Sequence, residues 1–272
     1  MMGRSHALSG AAVWLAGSWV GDQFLDYHQS PLYLALGTAV CAGGALLPDL
    51  DLSGKVTTGQ GGATVAHTFG RVSMFVAEVV EKISVGIYTA TRLQHDPKRD
   101  NGHRTFTHTL PFTVLMGWGA TYLCTQFGKW AVLSILFFTI GLAVRGIFES
   151  WAKKAGWLIT TAVSAAAAWY AFVNLDAGHG YPLLGFALGV GCFVHLMGDI
   201  ITSAGVPILW PIPTGIKQVQ MWRMIGVPNA ISVEVGGKVE KFVLQGAFTI
   251  VSIASGIALI GNAVLRKFDI EL

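Results

Sequence analysis

The sequence predicts an all-α membrane protein: a polytopic helical bundle with about seven transmembrane helices and one amphipathic surface helix. Of its 272 residues, 53% are hydrophobic and only 12% are charged, whereas soluble domains usually carry about 25% charged residues. The mean hydropathy is +0.56. The 34 glycines suit a membrane bundle, because small residues allow transmembrane helices to approach closely.

Seven apolar segments are candidates for crossing the bilayer core, which takes about 20 helical residues. They lie at 7–20, 32–47, 110–127, 130–148, 156–175, 182–202 and 244–265. The first two are short and are expected to be tilted or only partly inserted. The first segment also has the general shape of a signal peptide, but no good cleavage site follows it, so we expect a retained helix.

A polar insertion at about 52–101 separates the second and third segments. Within it, Val72–Thr91 has an amphipathic pattern: Phe75, Val79 and Ile83 share one helical face, and the charged residues fall on the other. Such a helix is expected along the membrane surface or against the bundle. The alternative is an ordinary packed helix in a soluble insertion.

The remaining long connection, 203–243, holds four prolines and is expected to be mostly irregular. We treat residues 1–272 as a single membrane-embedded domain that ends with the helix at 244–265. Lysines and arginines gather on the side of the bundle that holds the N-terminus, which predicts that this side is cytoplasmic in an inner or plasma membrane. The three cysteines are far apart in apolar runs, so they predict neither disulfides nor a cysteine metal site.

Histidines and acidic residues recur at the predicted cytoplasmic ends of the helices, where chance would scatter them over both faces. His195 and Asp199 are four residues apart and therefore share a helical face. Imidazole and carboxylate ligands without thiolate suit Zn²⁺, Mn²⁺ or Fe²⁺. The sequence therefore predicts a metal site with one to three ions, formed from these residues: His6, Asp49, Asp51, His103, His108, His195, Asp199 and Glu240.

Each part of this pattern has a simpler interpretation. His195 and Asp199 could form a structural hydrogen bond, Asp49 and Asp51 could belong to a helix-terminal turn, and His103 could lie in a basic surface loop. Arg104 is either a phosphate clamp, since guanidinium binds phosphate oxygens in a bidentate manner, or a charge that sets topology. The convergence of all the residues at one face favours the metal site.

Three motifs occur in order: LLPDLD at 46–51, GHRTFTH at 102–108, and HLMGD at 195–199, which is followed by TSAGVP at 202–207 and Trp210-Pro211. In these motifs the chain resembles the YdjM-like family of inner-membrane-associated, metal-dependent hydrolases, from His6 to about Phe242. The His and Asp pattern is also similar to that of the zinc-dependent phospholipase C and P1 nuclease enzymes. Many family members have a histidine where this chain has Leu52.

The resemblance implies metal ligands at six positions, with Asp51 as a seventh ligand or as a residue that orients one. The six are His6, Asp49, His103, His108, His195 and Asp199. Glu240 matches a later acidic position less securely.

The leading functional hypothesis is a membrane-embedded hydrolase that cleaves a phosphoester of a lipid or lipid-linked substrate with metal-activated water. In this hypothesis Asp51 or Glu240 is the general base, Arg104 holds phosphate, and zinc is the expected metal. The alternative is a non-enzymatic metal-binding membrane protein, either a scaffold or a transporter. The basic residues fit membrane topology, so no nucleic-acid partner is expected, and the sequence leaves the oligomeric state open.

Overall fold

The computed structural model of the protein describes residues 1–52, 63–99, 101–175 and 181–268. In this part of the chain helices predominate and no strand is formed, so the predicted all-α class is confirmed. The α-helices are α1 Gly3–Phe24, α2 Pro31–Gly44, α3 Ala63–Ala66, α4 Arg71–Thr91, α5 Leu110–Phe127, α6 Lys129–Ile147, α7 Glu149–Asn174, α8 Pro182–Ile200 and α9 Gln245–Lys267.

Five helical segments of the described chain are long and apolar enough to cross a membrane. They are Pro31–Asp51, Lys129–Ile147, Glu149–Asn174, Pro182–Ile200 and Val239–Arg266. Helices α1 and α5 form where the sequence predicts them, but they do not meet this combined criterion of length and hydropathy. The polytopic bundle is therefore confirmed, whereas the predicted number of seven spans is not.

Local sequence signals explain several helix boundaries. The Ser30 side chain accepts a hydrogen bond from the Tyr33 amide at the start of α2, and Thr109 caps α5 in the same way through Phe112. Gly128 adopts a positive φ of 53° and separates α5 from α6, because glycine tolerates this conformation without a Cβ clash. Gly156, with φ 81° and ψ 169°, interrupts α7 where the sequence places the start of that span.

Helices α2 and α8 pack in direct backbone contact. A Cβ atom at Gly191 of α8 would lie 2.3 Å from the Cys41 carbonyl oxygen and 2.8 Å from the Ala45 amide nitrogen of the other helix segment. On the opposite side of α2, a Cβ atom at Gly43 would lie 2.2 Å from the Thr139 carbonyl oxygen of α6. Glycine at these positions brings α2 close to both neighbours, which fixes the polar turn that follows it.

Helices α1 and α9 run parallel and are joined near both ends. At one end the Gln245 side chain donates to the Ser5 hydroxyl at 3.0 Å. At the other end the buried Asp22 carboxylate accepts from Arg266 at 2.8 Å and from Asn262 at 2.7 Å. These bonds hold the C-terminal helix alongside the N-terminal one.

The connection after α8 is mostly irregular, as predicted. Isolated bridges shape it, including Val206 with Ile225 and Thr214 with Gln220. Its end differs from the prediction, because a π-helical turn at Val239–Leu244 starts the last helical segment five residues early. Residues 176–180, between the fifth and sixth predicted spans, and part of the polar insertion, 53–62, lie outside the described residues.

We predict that Gly191→Ala destabilises the protein by about 1–3 kcal/mol, since the added methyl group forces α2 and α8 apart. Thermal or denaturant unfolding in detergent measures this change. Gly119→Ala is the matched control, because a Cβ atom there meets nothing within 4 Å and alanine favours the helix. Equal stability of the two variants would contradict the close packing of α2 and α8.

Candidate metal centre

Seven of the predicted site residues, together with Arg104, converge at one end of the bundle, which we call the site face. His6 lies in the first turns of α1, and His195 and Asp199 lie in the last two turns of α8. The other side chains come from the 3₁₀ turn Leu47–Asp51 after α2 and from the loop and 3₁₀ turn before α5. All are buried apart from His103, which is half-buried, and Arg104, which is partly exposed.

His6 and His195 stack face to face, with ring centroids 3.8 Å apart and an interplanar angle of 17°. Both ring nitrogens of His6 are buried and have no hydrogen-bond partner, although Nε2 lies 3.3 Å from an oxygen of Asp199. A buried polar atom without a partner is costly. A cation next to the His6 nitrogen would remove that cost.

The second ring of the stack is oriented by the backbone. His195 places Nδ1 2.8 Å from the Ala45 carbonyl oxygen, so this nitrogen carries the proton and donates it. The unprotonated Nε2 of His195 then points into the site. This atom lies 3.2 Å from Nε2 of His108. A carbonyl that fixes the tautomer of an imidazole in this way is typical of metal-ligating histidines.

Two carboxylates face these imidazoles. An Asp49 oxygen lies 3.7 Å from Nε2 of both His108 and His195. An Asp199 oxygen lies 3.6 Å and 3.8 Å from the same two atoms. The other Asp199 oxygen accepts from the amino group of Met1 at 2.5 Å. Four potential ligand atoms from three segments therefore surround one small volume.

Asp51 is surrounded by donors. One of its oxygens is 3.0 Å from His103 Nδ1, and the other accepts from the Thr107 hydroxyl at 2.6 Å and the Arg104 amide at 3.1 Å. The second oxygen also lies 3.3 Å from His108 Nδ1. These contacts allow Asp51 to orient two histidines, and whether it is also a metal ligand stays a prediction.

Arg104 is held inside the site. Its guanidinium lies 3.1 Å from Asp199 and donates to the Gly205 carbonyl at 3.1 Å. Its backbone has a φ of 55°, which is rare for a residue with a side chain, and its amide bonds Asp51. The guanidinium therefore neutralises and orients Asp199, and the role of Arg104 as a phosphate clamp stays a prediction.

Glu240 lies near the site face but outside the group of candidate ligands. Its two oxygens accept from the Met2 amide at 2.6 Å and the Gly236 amide at 2.7 Å. It belongs to the π-helical turn before α9. These contacts position the N-terminal segment, and they give no support to the general-base role that the sequence suggested.

Buried carboxylates attract positive charge to the site. The carboxylates of Asp49, Asp51 and Asp199 are buried. Each has an oxygen within 4 Å of a ring nitrogen of His108. Burial lowers the pKa of His108, but the carboxylates of Asp51, Asp49 and Asp199 outweigh burial and raise that pKa to about 9. The site therefore draws positive charge toward the imidazoles.

The donor set fits one or two divalent ions. Two groups of ligand atoms are close enough to hold an ion: His6, His195 and Asp199 form one, and Asp49, His103 and His108 form the other. Three ligands leave coordination positions for water, as in catalytic sites. Histidine and carboxylate ligands are compatible with zinc, manganese or iron.

Some contributors could not be recognised from the sequence. The Ala45 carbonyl orients His195, but no sequence signal identifies a backbone oxygen. Thr202 hydrogen-bonds the Asp199 carbonyl and lies 3.4 Å from Arg104. Its position three residues after Asp199 is the one available hint. Thr107 precedes His108 directly, and its hydroxyl donates to Asp51.

The fold and the site together define a polytopic helical membrane protein with a His and Asp centre at one face of the bundle. Residues 1–263 match the family described as YdjM inner membrane protein. The chain therefore belongs to the YdjM inner membrane protein family. Comparison with curated proteins and with solved structures gave no match.

We predict that the detergent-purified protein contains stoichiometric zinc, manganese or iron, and that His195→Ala lowers the content, because this substitution deletes one of the three ligands in the group of His6, His195 and Asp199. Metal analysis by mass spectrometry measures the content. The control is His95→Ala, since His95 is an exposed histidine outside the site. A folded wild-type protein that stays metal-free after incubation with all three ions would contradict the metal centre.

Proposed function

We propose that the protein is a membrane-embedded, metal-dependent hydrolase that cleaves a phosphoester of a lipid or lipid-linked substrate at the site face. The observation that carries this proposal is the convergence of buried imidazole nitrogens and carboxylate oxygens from α1, α8 and the two 3₁₀ turns. A site that faces the cytoplasm follows from the distribution of lysine and arginine.

The ligand roles follow from the contacts. His6, Asp49, His108, His195 and Asp199 would hold the metal, because their donor atoms face one another inside the bundle. A bound divalent ion would lower the pKa of a water molecule and polarise a phosphoryl oxygen. Arg104 and Asp51 keep the ligands in place from outside this group.

His103 is the residue best placed to move a proton. Its side chain is 28% exposed, whereas those of the other site histidines are buried. Its Nδ1 lies 3.0 Å from Asp51, and a carboxylate in this position orients an imidazole. His103 can therefore give a proton to a leaving group at the open edge of the site.

The surroundings of this open edge suit an anionic substrate. The Arg99 guanidinium donates to the His103 carbonyl at 3.0 Å and so lies beside the edge. Arg92 and Lys98 are exposed on the same connection after α4. Positive charge here attracts phosphate, and a site at helix ends beside the membrane favours substrates that arrive from the lipid phase.

A metal-stabilised scaffold is the competing function, and the burial of most of the donor atoms favours it. A scaffold would need a closed site with no position for water. A transporter is disfavoured, because it needs charged side chains along a path through the bundle. Among the described residues the buried charged side chains lie toward the two ends instead, with Asp22 at one end and the metal-centre acids at the other.

The test is release of headgroup or phosphate from a panel of phospholipids and lipid-linked phosphates by the metal-loaded protein. Wild type is expected to turn over at least one substrate, and Asp49→Ala is expected to lose both metal and activity. His103→Gln is expected to keep the ion held by His6, His195 and Asp199 but to lose about 10²–10⁴-fold in rate, as is usual when an acid–base group is removed.

His95→Gln serves as the matched control for His103→Gln, since both are histidines of the same polar connection and His95 is exposed. Its rate is expected to equal that of wild type. If fully metal-loaded wild type turned over none of the lipids, the hydrolase function would be wrong and the scaffold would be favoured. If His103→Gln were as active as His95→Gln, the proton-transfer role of His103 would be wrong.

A further inference from the structure

Helix α4 carries an apolar stripe that is turned away from the rest of the protein. Val72, Phe75, Val79 and Ile83 recur at helical spacing, so they share one face. Val72, Phe75 and Ile83 are 69%, 67% and 52% exposed. Large apolar side chains in a contiguous exposed row mark an interaction surface. The sequence anticipated the stripe but left open whether it faces the bundle.

The opposite face of α4 rests on the metal centre. Ser73, Ala77, Ser84 and Tyr88 are buried on this face. A Cβ atom at Gly102, one residue before His103, would lie 2.7 Å from the Glu81 carbonyl oxygen of α4. Small side chains and a glycine therefore let α4 lie directly against the loop that carries His103.

A third side of the helix, between the stripe and the buried face, is polar. Glu78 and Lys82 form an ion pair at 3.0 Å on this side, with Lys82 well exposed. Arg71 is also exposed there. A helix that is apolar on one exposed side and charged on the next suits an interface between lipid and water.

The N-terminal end of α4 is anchored inside the bundle. Phe69, just before the helix, stacks on Phe137 and Phe138 of α6. A Cβ atom at Gly141 would collide with the Phe69 ring. Gly141 lies six residues before the end of α6, which is about 9 Å along the helix axis. Because α6 is a candidate membrane span, the start of α4 lies at the depth of this span rather than beyond its end.

We propose that α4 lies obliquely in the lipid leaflet at the site face, with the stripe of Val72, Phe75, Val79 and Ile83 against acyl chains and the Glu78–Lys82 side toward water. The partner of this surface is the bilayer. Helix α4 packs against the turn after α2 and the turn before α5, which carry site residues, so it forms a lipid-facing wall of the metal centre. This placement stands independently of any hydrolase activity.

The surrounding elements favour lipid over a protein partner as the occupant. The stripe begins beside Gly70, which packs against the Trp157 ring at the interruption of α7. The neighbouring surface of α7 is itself apolar and exposed, with Leu158 and Ile159 among its residues. Since α7 is also a candidate span, the stripe continues a surface that already faces lipid.

The experiment attaches an environment-sensitive fluorophore to single introduced cysteines in the full-length protein. Val79→Cys and Ile83→Cys report the stripe, and Lys82→Cys is the matched control on the polar side of the same turns. The native cysteines are buried, so they are shielded from the reagent, and labelling of the unmodified protein provides the background. The labelled proteins are placed in vesicles of phosphatidylethanolamine and phosphatidylglycerol.

Quenching by nitroxide-bearing lipids is then compared with quenching by iodide in the buffer. The stripe labels are expected to be quenched at least several-fold more strongly by the lipid nitroxide than the Lys82 label, and the Lys82 label more strongly by iodide. Three results would overturn the proposal: stripe labels quenched by iodide alone, stripe labels shielded from both quenchers, or a Lys82 label as lipid-exposed as the stripe. Unchanged elution of each variant in size-exclusion chromatography controls for folding.

Discussion

The structure depends on keeping three carboxylates out of water at one end of an apolar bundle. Burying a charged group is costly unless it is paired or bound to a metal, and each acid of the centre has a distinct solution. Asp51 is satisfied by Thr107 and the histidines, and Asp199 by Arg104 and Met1. Asp49 faces imidazole nitrogens at longer distances, so a cation would satisfy it best.

Close backbone packing gives these charged groups their fixed positions. Because Gly191 allows α8 to touch α2, the Ala45 carbonyl comes within 2.8 Å of His195. The apolar part of the bundle therefore determines which tautomer the histidine adopts at the polar end. Helix packing and site chemistry are two consequences of the same close approach.

Much of this arrangement was predictable from the sequence. Hydropathy located the helices. Because histidines and acids recur at helix ends on the same side of the bundle, the sequence also predicted that these side chains converge. The number of spans was not settled, since serine, glycine and tryptophan in α1 lower its hydropathy although it packs in the bundle. The roles of Arg104 and Glu240 were not predictable either, because they depend on a left-handed backbone at Arg104 and a π-helical turn at Glu240.

The parallel pairing of α1 and α9 has a consequence for biogenesis. α1 carries His6, yet its bonds through Ser5 and Asp22 are made to Gln245 and Arg266 of α9, which leaves the ribosome after all the other described helices. During synthesis α1 therefore lacks these hydrogen-bond partners until α9 has been made. We expect the centre to reach its final geometry only after α9 has been translated, so that the first helix is completed late in synthesis.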